Sequence, residues 1–309
     1  MRSLLKLVIY LSVPALLINW WVVSRTEHAA EPFAGGRVIE LIGPDLNVRE
    51  YKAADRPDDA TGAIVLLHGY AASIQWWDGV AQRLADRTHR TVVAIDLVGH
   101  GGSESPRESR AYGAVGQALA VRRAMAALHV DDAVLVGASM GGQVATLVAE
   151  QESDRVERVA VIDTFGAPGL YDLGPLKNAA CWPIVGAAVD RLRAFDVVTK
   201  PSLQRAFADG FAVPDFAYAS VKRLTQRGTC QSNAGDQMNR QRPTAQRLAT
   251  LGKPVLVVWG ARDVLTPMAA NAAAYRDAGI NPTVIQAAGH SGQVETPGKV
   301  VKILTEFIP

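Results

Sequence analysis

The sequence predicts an α/β fold, a sheet flanked by helices, with a helical insertion and an apolar amino-terminal segment. Three observations lead there. First, apolar strand-like runs such as Ala63–Leu67 (AIVLL) and Pro254–Trp259 (PVLVVW) alternate with helix-forming stretches, as in strands covered on both faces. Second, this alternation stops near residue 167 and resumes near 245. Third, residues 133–146 (AVLVGASMGGQVAT) run from a buried strand through a glycine-flanked serine into a helix. At 309 residues and 49% hydrophobic, the chain can bury one large core. Its net charge of +2 is interspersed, so it carries no nucleic-acid footprint, and it holds neither repeats nor low-complexity tracts.

In chain order, Arg2 and Lys6 precede an apolar stretch at 7–23, extendable back to Leu4, interrupted by Ser12, Pro14 and Asn19 and closing near Trp20 and Trp21. About 20 residues of helix, roughly 30 Å, suffice to cross a membrane. The early basic residues and the tryptophans favour a membrane anchor with a cytoplasmic start. A cleaved secretory signal is the alternative, but His28-Ala29-Ala30 is a poor cleavage site. Residues 1–30 are therefore expected to be a transmembrane anchor or signal segment. The body would then lie on the non-cytoplasmic side, periplasmic or lumenal, or be secreted after cleavage. Residues 24–36 read as a linker.

Residues 37–41 and 46–52 suggest two antiparallel strands, and a polar connection follows at 53–61. Ala63–Leu67 is a buried strand ending in His68-Gly69-Tyr70, and 73–86 suggests an amphipathic helix carrying Trp76, Trp77, Val80 and Leu84. Strand 91–97 leads into the glycine-rich loop 98–103, where Asp96 is expected to tie the loop down. His68 and His100 read as structural histidines. Helix 114–128 is expected to bury Val115, Leu119, Val121, Met125 and Leu128. Strand Val156–Ile162 ends at Asp163. Residues 167–245, rich in proline and aromatics, are too long for a simple connection and read as a helical lid. Cys181 and Cys230 both lie there, able either to pair or to remain buried thiols. A strand at 254–259, a helix at 268–278, a strand at 282–286 and a helix at 299–307 close the chain. The core is thus expected in two parts, 31–166 and 246–309.

The serine turn carries the chemistry. Glycines two residues either side of Ser139 let the chain turn sharply and push the serine into a strained conformation at the strand tip, above a helix N-terminus. Asp263 and His290 also follow buried strands. In the order Ser139, Asp263, His290 they meet the needs of nucleophilic catalysis: a nucleophile, a base that takes and returns its proton, and an acid that orients the imidazole. The backbone N–H groups of Tyr70 and Met140 are the expected oxyanion donors. Asp163 is the competing position for the acid.

Taken together, HGY (68–70), DLVGHGGS (96–103), GASMGG (137–142), WGARDVLTP (259–267) and AGHSGQVETP (288–297) resemble the α/β-hydrolase superfamily, and within it the lidded serine esterases, monoacylglycerol lipase-like enzymes and C–C bond hydrolases. The resemblance covers about 37–309. It implies a mostly parallel eight-stranded sheet, carries nucleophile, acid and base onto Ser139, Asp263 and His290, and carries the oxyanion amides onto Tyr70 and Met140. It points to ester hydrolysis of hydrophobic or acyl-chain substrates through an acyl-enzyme, with no metal or organic cofactor. Two alternatives stand: a C–C bond hydrolase acting on a vinylogous diketone with the same three residues, and a non-catalytic binding module. The last usually lacks one of the catalytic set, and none is missing here.

Overall fold

The computed structural model describes residues 2–55, 62–171, 179–232 and 235–308, without the side chains of 2–9, 11 and 235–237. Part of the polar connection at 53–61 and Pro175 of the insertion lie outside the described residues. The strands are β1 (Arg37–Ile39), β2 (Leu46–Tyr51), β3 (Ala63–Leu67), β4 (Thr91–Ile95), β5 (Ala133–Ala138), β6 (Val156–Ile162), β7 (Val255–Gly260) and β8 (Thr283–Ile285). They form one sheet in the order β1-β2-β4-β3-β5-β6-β7-β8. The pairs β1–β2 and β2–β4 are antiparallel, and every other pair is parallel.

The helices are α1 (Arg2–Arg25), α2 (Ala81–Thr88), α3 (Ala114–Ala127), α4 (Met140–Gln151), α5 (Gly186–Asp190), α6 (Asp196–Gln204), α7 (Asp215–Arg223), α8 (Gln226–Gln231), α9 (Gly235–Gln241), α10 (Thr244–Ala249), α11 (Met268–Asp277), α12 (Gly292–Glu295) and α13 (Pro297–Phe307). The period-2 alternation of the strands distributes their side chains to two cores. Val65, Leu67, Leu135, Val161 and Trp259 pack with α3, α4 and Tyr275 of α11. Ile64, Leu66, Val134, Val136 and Ile162 pack with Leu84 of α2 and Val300 and Leu304 of α13. Both faces are covered, which is why these strands read as unbroken apolar runs rather than alternating ones.

Three expectations are corrected. The helix expected at 73–86 is two pieces, a 3-10 turn at Ile74–Trp77 and α2. The break falls at Gly79, which packs so closely on Pro297 of α13 that a Cβ would stand 3.0 Å from the Pro297 Cβ. In α3 the buried residues are Ala114, Gln117, Ala118, Ala120, Val121, Ala124 and Met125, whereas Val115 and Leu119 face solvent. Small alanines let α3 and α4 approach closely. Finally, α1 forms and packs against α5 of the insertion. Among the described residues, however, no helix is long and apolar enough to cross a membrane. The spanning anchor expected for 1–30 is therefore unsupported.

The linker after α1 lies along the body. His28 bridges Ser105, the Glu31 N–H donates to the Gly102 carbonyl at 2.8 Å, and Phe33 exchanges hydrogen bonds with Asn47. The insertion between β6 and β7 contains α5–α10, and Cys181 and Cys230 are joined in it as a disulfide, Cα–Cα 5.4 Å.

Candidate active site

Ser139 stands between β5 and α4 with φ 51° and ψ −118°, a conformation that a non-glycine residue holds only where its surroundings impose it. The surroundings are close-packed backbone: a Cβ at Gly141 would collide with the Leu67 carbonyl, and one at Gly69 would lie 3.2 Å from the Ser139 Cβ. The β3 loop therefore lies directly against the serine. Met140 opens α4, so its N–H has no intrahelical acceptor. Neither this N–H nor that of Tyr70 donates to a backbone carbonyl among the described residues. The Tyr70 hydroxyl reaches the Thr229 carbonyl of α8 at 3.1 Å, pinning the loop to the insertion.

Asp263 follows β7 and is buried. One of its oxygens accepts the N–H groups of Leu265 (2.8 Å) and Thr266 (2.9 Å), the turn closure characteristic of Asp. The other accepts from the Thr266 hydroxyl and faces His290 Nδ1 at 2.8 Å. Thr266 Oγ1 also lies 3.2 Å from Nδ1. With Nδ1 engaged, Nε2 is the ring nitrogen left for chemistry. Burial opposes charge on this imidazole, but Asp263, by its charge and its hydrogen bond, and then Asp163 and Glu295 outweigh it and lift the pKa to about 9.

Asp263 and His290 are thus brought together. No hydrogen bond joins the Ser139 hydroxyl to His290 among the described residues. The connection runs through neighbouring strand ends: the Thr164 hydroxyl donates to the Ser139 carbonyl at 3.1 Å, and the Thr266 hydroxyl reaches the Asp163 carbonyl at 3.4 Å. Asp163 does not bond the imidazole. One oxygen accepts the Gly260 N–H at 2.7 Å, and the other is buried without a partner among the described residues. Burial, followed by the neighbouring Asp263, pushes its pKa well above the carboxylate range.

The other buried histidines brace loops. His68 Nε2 accepts the Leu97 N–H at 3.0 Å and its Nδ1 faces the Gly69 carbonyl at 2.7 Å. Burial holds His68 down at about 3 and His100 at about 4, so both are neutral. Asp96 ties the neighbouring loops as expected, accepting from Asn47, Ile74 and Gly102 at 2.7–2.9 Å. Burial lifts its pKa to about 6.

Sequence reasoning missed Thr266 and Glu295. The spacing Asp263-x-x-Thr266 was the available signal for the first. For the second it was a carboxylate five residues beyond His290, where the loop's N–H groups have no strand to pair with.

A model of the Alpha/beta hydrolase family matches residues 64–303. The chain belongs to this family. Similar chains include an uncharacterized protein of Mycobacterium tuberculosis, 27% identical over 291 residues, covering 88% of this chain and 83% of its relative. A shorter match, 42% identical over 107 residues and 34% of each chain, is to the sn-1-specific diacylglycerol lipase ABHD11 of Mus musculus. Among solved structures, the enol-lactonase from Burkholderia xenovorans LB400 superposes with a TM-score of 0.71 at 20% identity, covering 88% of this chain and 99% of that one. Members of this family are hydrolases, and hydrolase activity follows for this chain.

Proposed function

We propose that this protein is a serine hydrolase cleaving carboxylic esters of hydrophobic or acyl-chain substrates through an acyl-enzyme on Ser139. The observations that carry the reading are the Asp263–His290 contact at 2.8 Å and a serine held at φ 51° on a helix N-terminus, on the same mostly parallel sheet. His290 Nε2 takes the Ser139 proton as Oγ attacks the ester carbonyl. Asp263 holds Nδ1–H and stabilises the imidazolium. The N–H groups of Tyr70 and Met140 receive the developing oxyanion. The imidazolium then protonates the leaving alcohol, and a water activated by the same ring hydrolyses the acyl-enzyme. Catalytic hydrogen bonds tighten when substrate is bound, so an unliganded serine not bonded to its base accords with this scheme.

The aromatic layer of Trp76, Phe207, Phe211 and Phe216, where the 3-10 turn meets the insertion, supports a hydrophobic substrate. The lipase relative supports an ester. The Cys181–Cys230 bond supports an oxidising, non-cytoplasmic compartment.

The test is a panel of p-nitrophenyl esters of increasing chain length together with a fluorophosphonate probe. Turnover and labelling are expected, both lost in Ser139→Ala. Labelling without turnover of any ester would shift the reading to C–C bond cleavage; neither would shift it to a binding module.

A further inference from the structure

The loop carrying His290 is gripped from two sides. At the end of β7, a Cβ on Gly260 would collide with the Gly289 carbonyl. Opposite, Gly289 lies so close to the insertion that its Cβ would stand 2.5 Å from Ala208 N and 2.7 Å from Phe207 C. The Ser291 hydroxyl donates to the Ala206 carbonyl at 2.6 Å. At the centre is Glu295, at the end of α12. Its Oε1 accepts the N–H groups of Gly289 (2.9 Å) and Ser291 (3.2 Å), the residues on either side of His290. Its Oε2 accepts the N–H of Ala208 at 2.8 Å. Three backbone donors from two chain segments thus converge on one carboxylate, which an anion suits because both its oxygens accept.

We propose that Glu295 is a positioning residue that holds the His290 backbone in register with residues 206–208 of the insertion, so that the aim of the imidazole depends on where the insertion sits. This rests on His290 being the base. The 206–208 segment belongs to the aromatic layer: Phe207 stacks on Trp76 at 5.5 Å and on Phe211 at 5.4 Å between ring centroids. A displacement of that layer by substrate therefore passes through the Ala208 N–H to Glu295, and from there to both flanks of His290.

An amide is a poor replacement. Glutamine offers one acceptor oxygen, so it can serve the Gly289–Ser291 pair or Ala208 but not both, and its NH2 group then confronts an N–H donor. The charge matters separately. The ionisable groups facing the imidazole are Asp263 from the β7 loop, Asp163 from the end of β6 and Glu295 from α12, and each favours the imidazolium.

The experiment compares Glu295→Gln, Glu295→Asp and wild type in the full chain, by ester turnover across pH, fluorophosphonate labelling rate and thermal melting. In Glu295→Gln, kcat is expected to fall about 10- to 100-fold, the scale of an ångström-level misplacement of a catalytic group, with KM little changed. The acid limb of the rate profile should move to lower pH. Glu295→Asp, which keeps both the charge and the two acceptors, should recover part of kcat and restore the limb. A folded Glu295→Gln with wild-type kcat and limb overturns the proposal; so does an Asp variant no better than Gln. Turnover retained in His290→Ala would instead remove the reading of the site itself.

Discussion

Asp263→Asn tests the site most directly. In the native chain one carboxylate oxygen closes the turn onto the Leu265 and Thr266 N–H groups, and the other faces His290 Nδ1. Asparagine can keep the turn, because its carbonyl accepts the same two N–H groups. Its NH2 then faces Nδ1 and donates to it, which forces the proton onto Nε2, the nitrogen that must accept from Ser139. The magnitude has two parts. The lift of His290 from 6.5 to about 9 is a net preference for the imidazolium of about 3 kcal/mol, led against burial by Asp263. Losing most of that in the transition state slows turnover by about 100-fold, and the wrong tautomer extends the loss toward about 10,000-fold in kcat.

The acid limb should move as well. A base must be neutral to act, so the wild-type rate is expected to rise with pH through about 9. The Asn variant's residual rate should rise at lower pH. The assay is ester turnover as a function of pH, with melting curves as the control for folding. Asp163→Asn serves as the comparison: it changes a carboxyl that does not touch the ring and should stay within about 10-fold of wild type. Equal losses in the two variants would refute the assignment of the acid to Asp263.

Two further predictions concern stability. His68 and His100 are neutral in the fold, with pKa values of about 3 and 4 against 6.5 when unfolded, so their contribution is present above pH 6.5 and is lost as pH falls through 4. Asp96, raised to about 6, acts oppositely and offsets part of this between pH 4 and 6. The melting temperature should fall between pH 6.5 and 4, and a flat profile there would contradict the neutral assignment. Replacing Cys181 and Cys230 by serine opens a link across 49 residues, worth about 4 kcal/mol by loop entropy, and calorimetry should register the loss as a lowered transition.

The sheet was legible in the sequence because burial on both faces writes apolar runs: Ala63–Leu67, buried throughout, carries its strand limits in its composition. The serine turn was legible because only glycine tolerates the backbone contacts around it. Less visible was anything set by a distant partner. Gly79 breaks the 73–86 helix against Pro297, more than 200 residues away. The exposed side of α3 depends on alanines meeting α4. The amino-terminal apolar stretch had the length and flanks of a membrane span, yet α1 packs on the insertion, and among the described residues no helix is long and apolar enough to cross a membrane.

The residue types of the proposed reacting groups and their order after successive strands were set by local sequence alone: a serine in a glycine turn, an aspartate and a histidine. The tertiary structure decided their relations. Asp163 and Asp263 both follow strands, but only Asp263 faces the imidazole. The tertiary structure also paired the two cysteines, and it placed Glu295 where it binds the flanks of His290 and the insertion together. Hydrogen bonds and charges act over a few ångströms, and which residues come within that range across a hundred positions is a property of the packed chain.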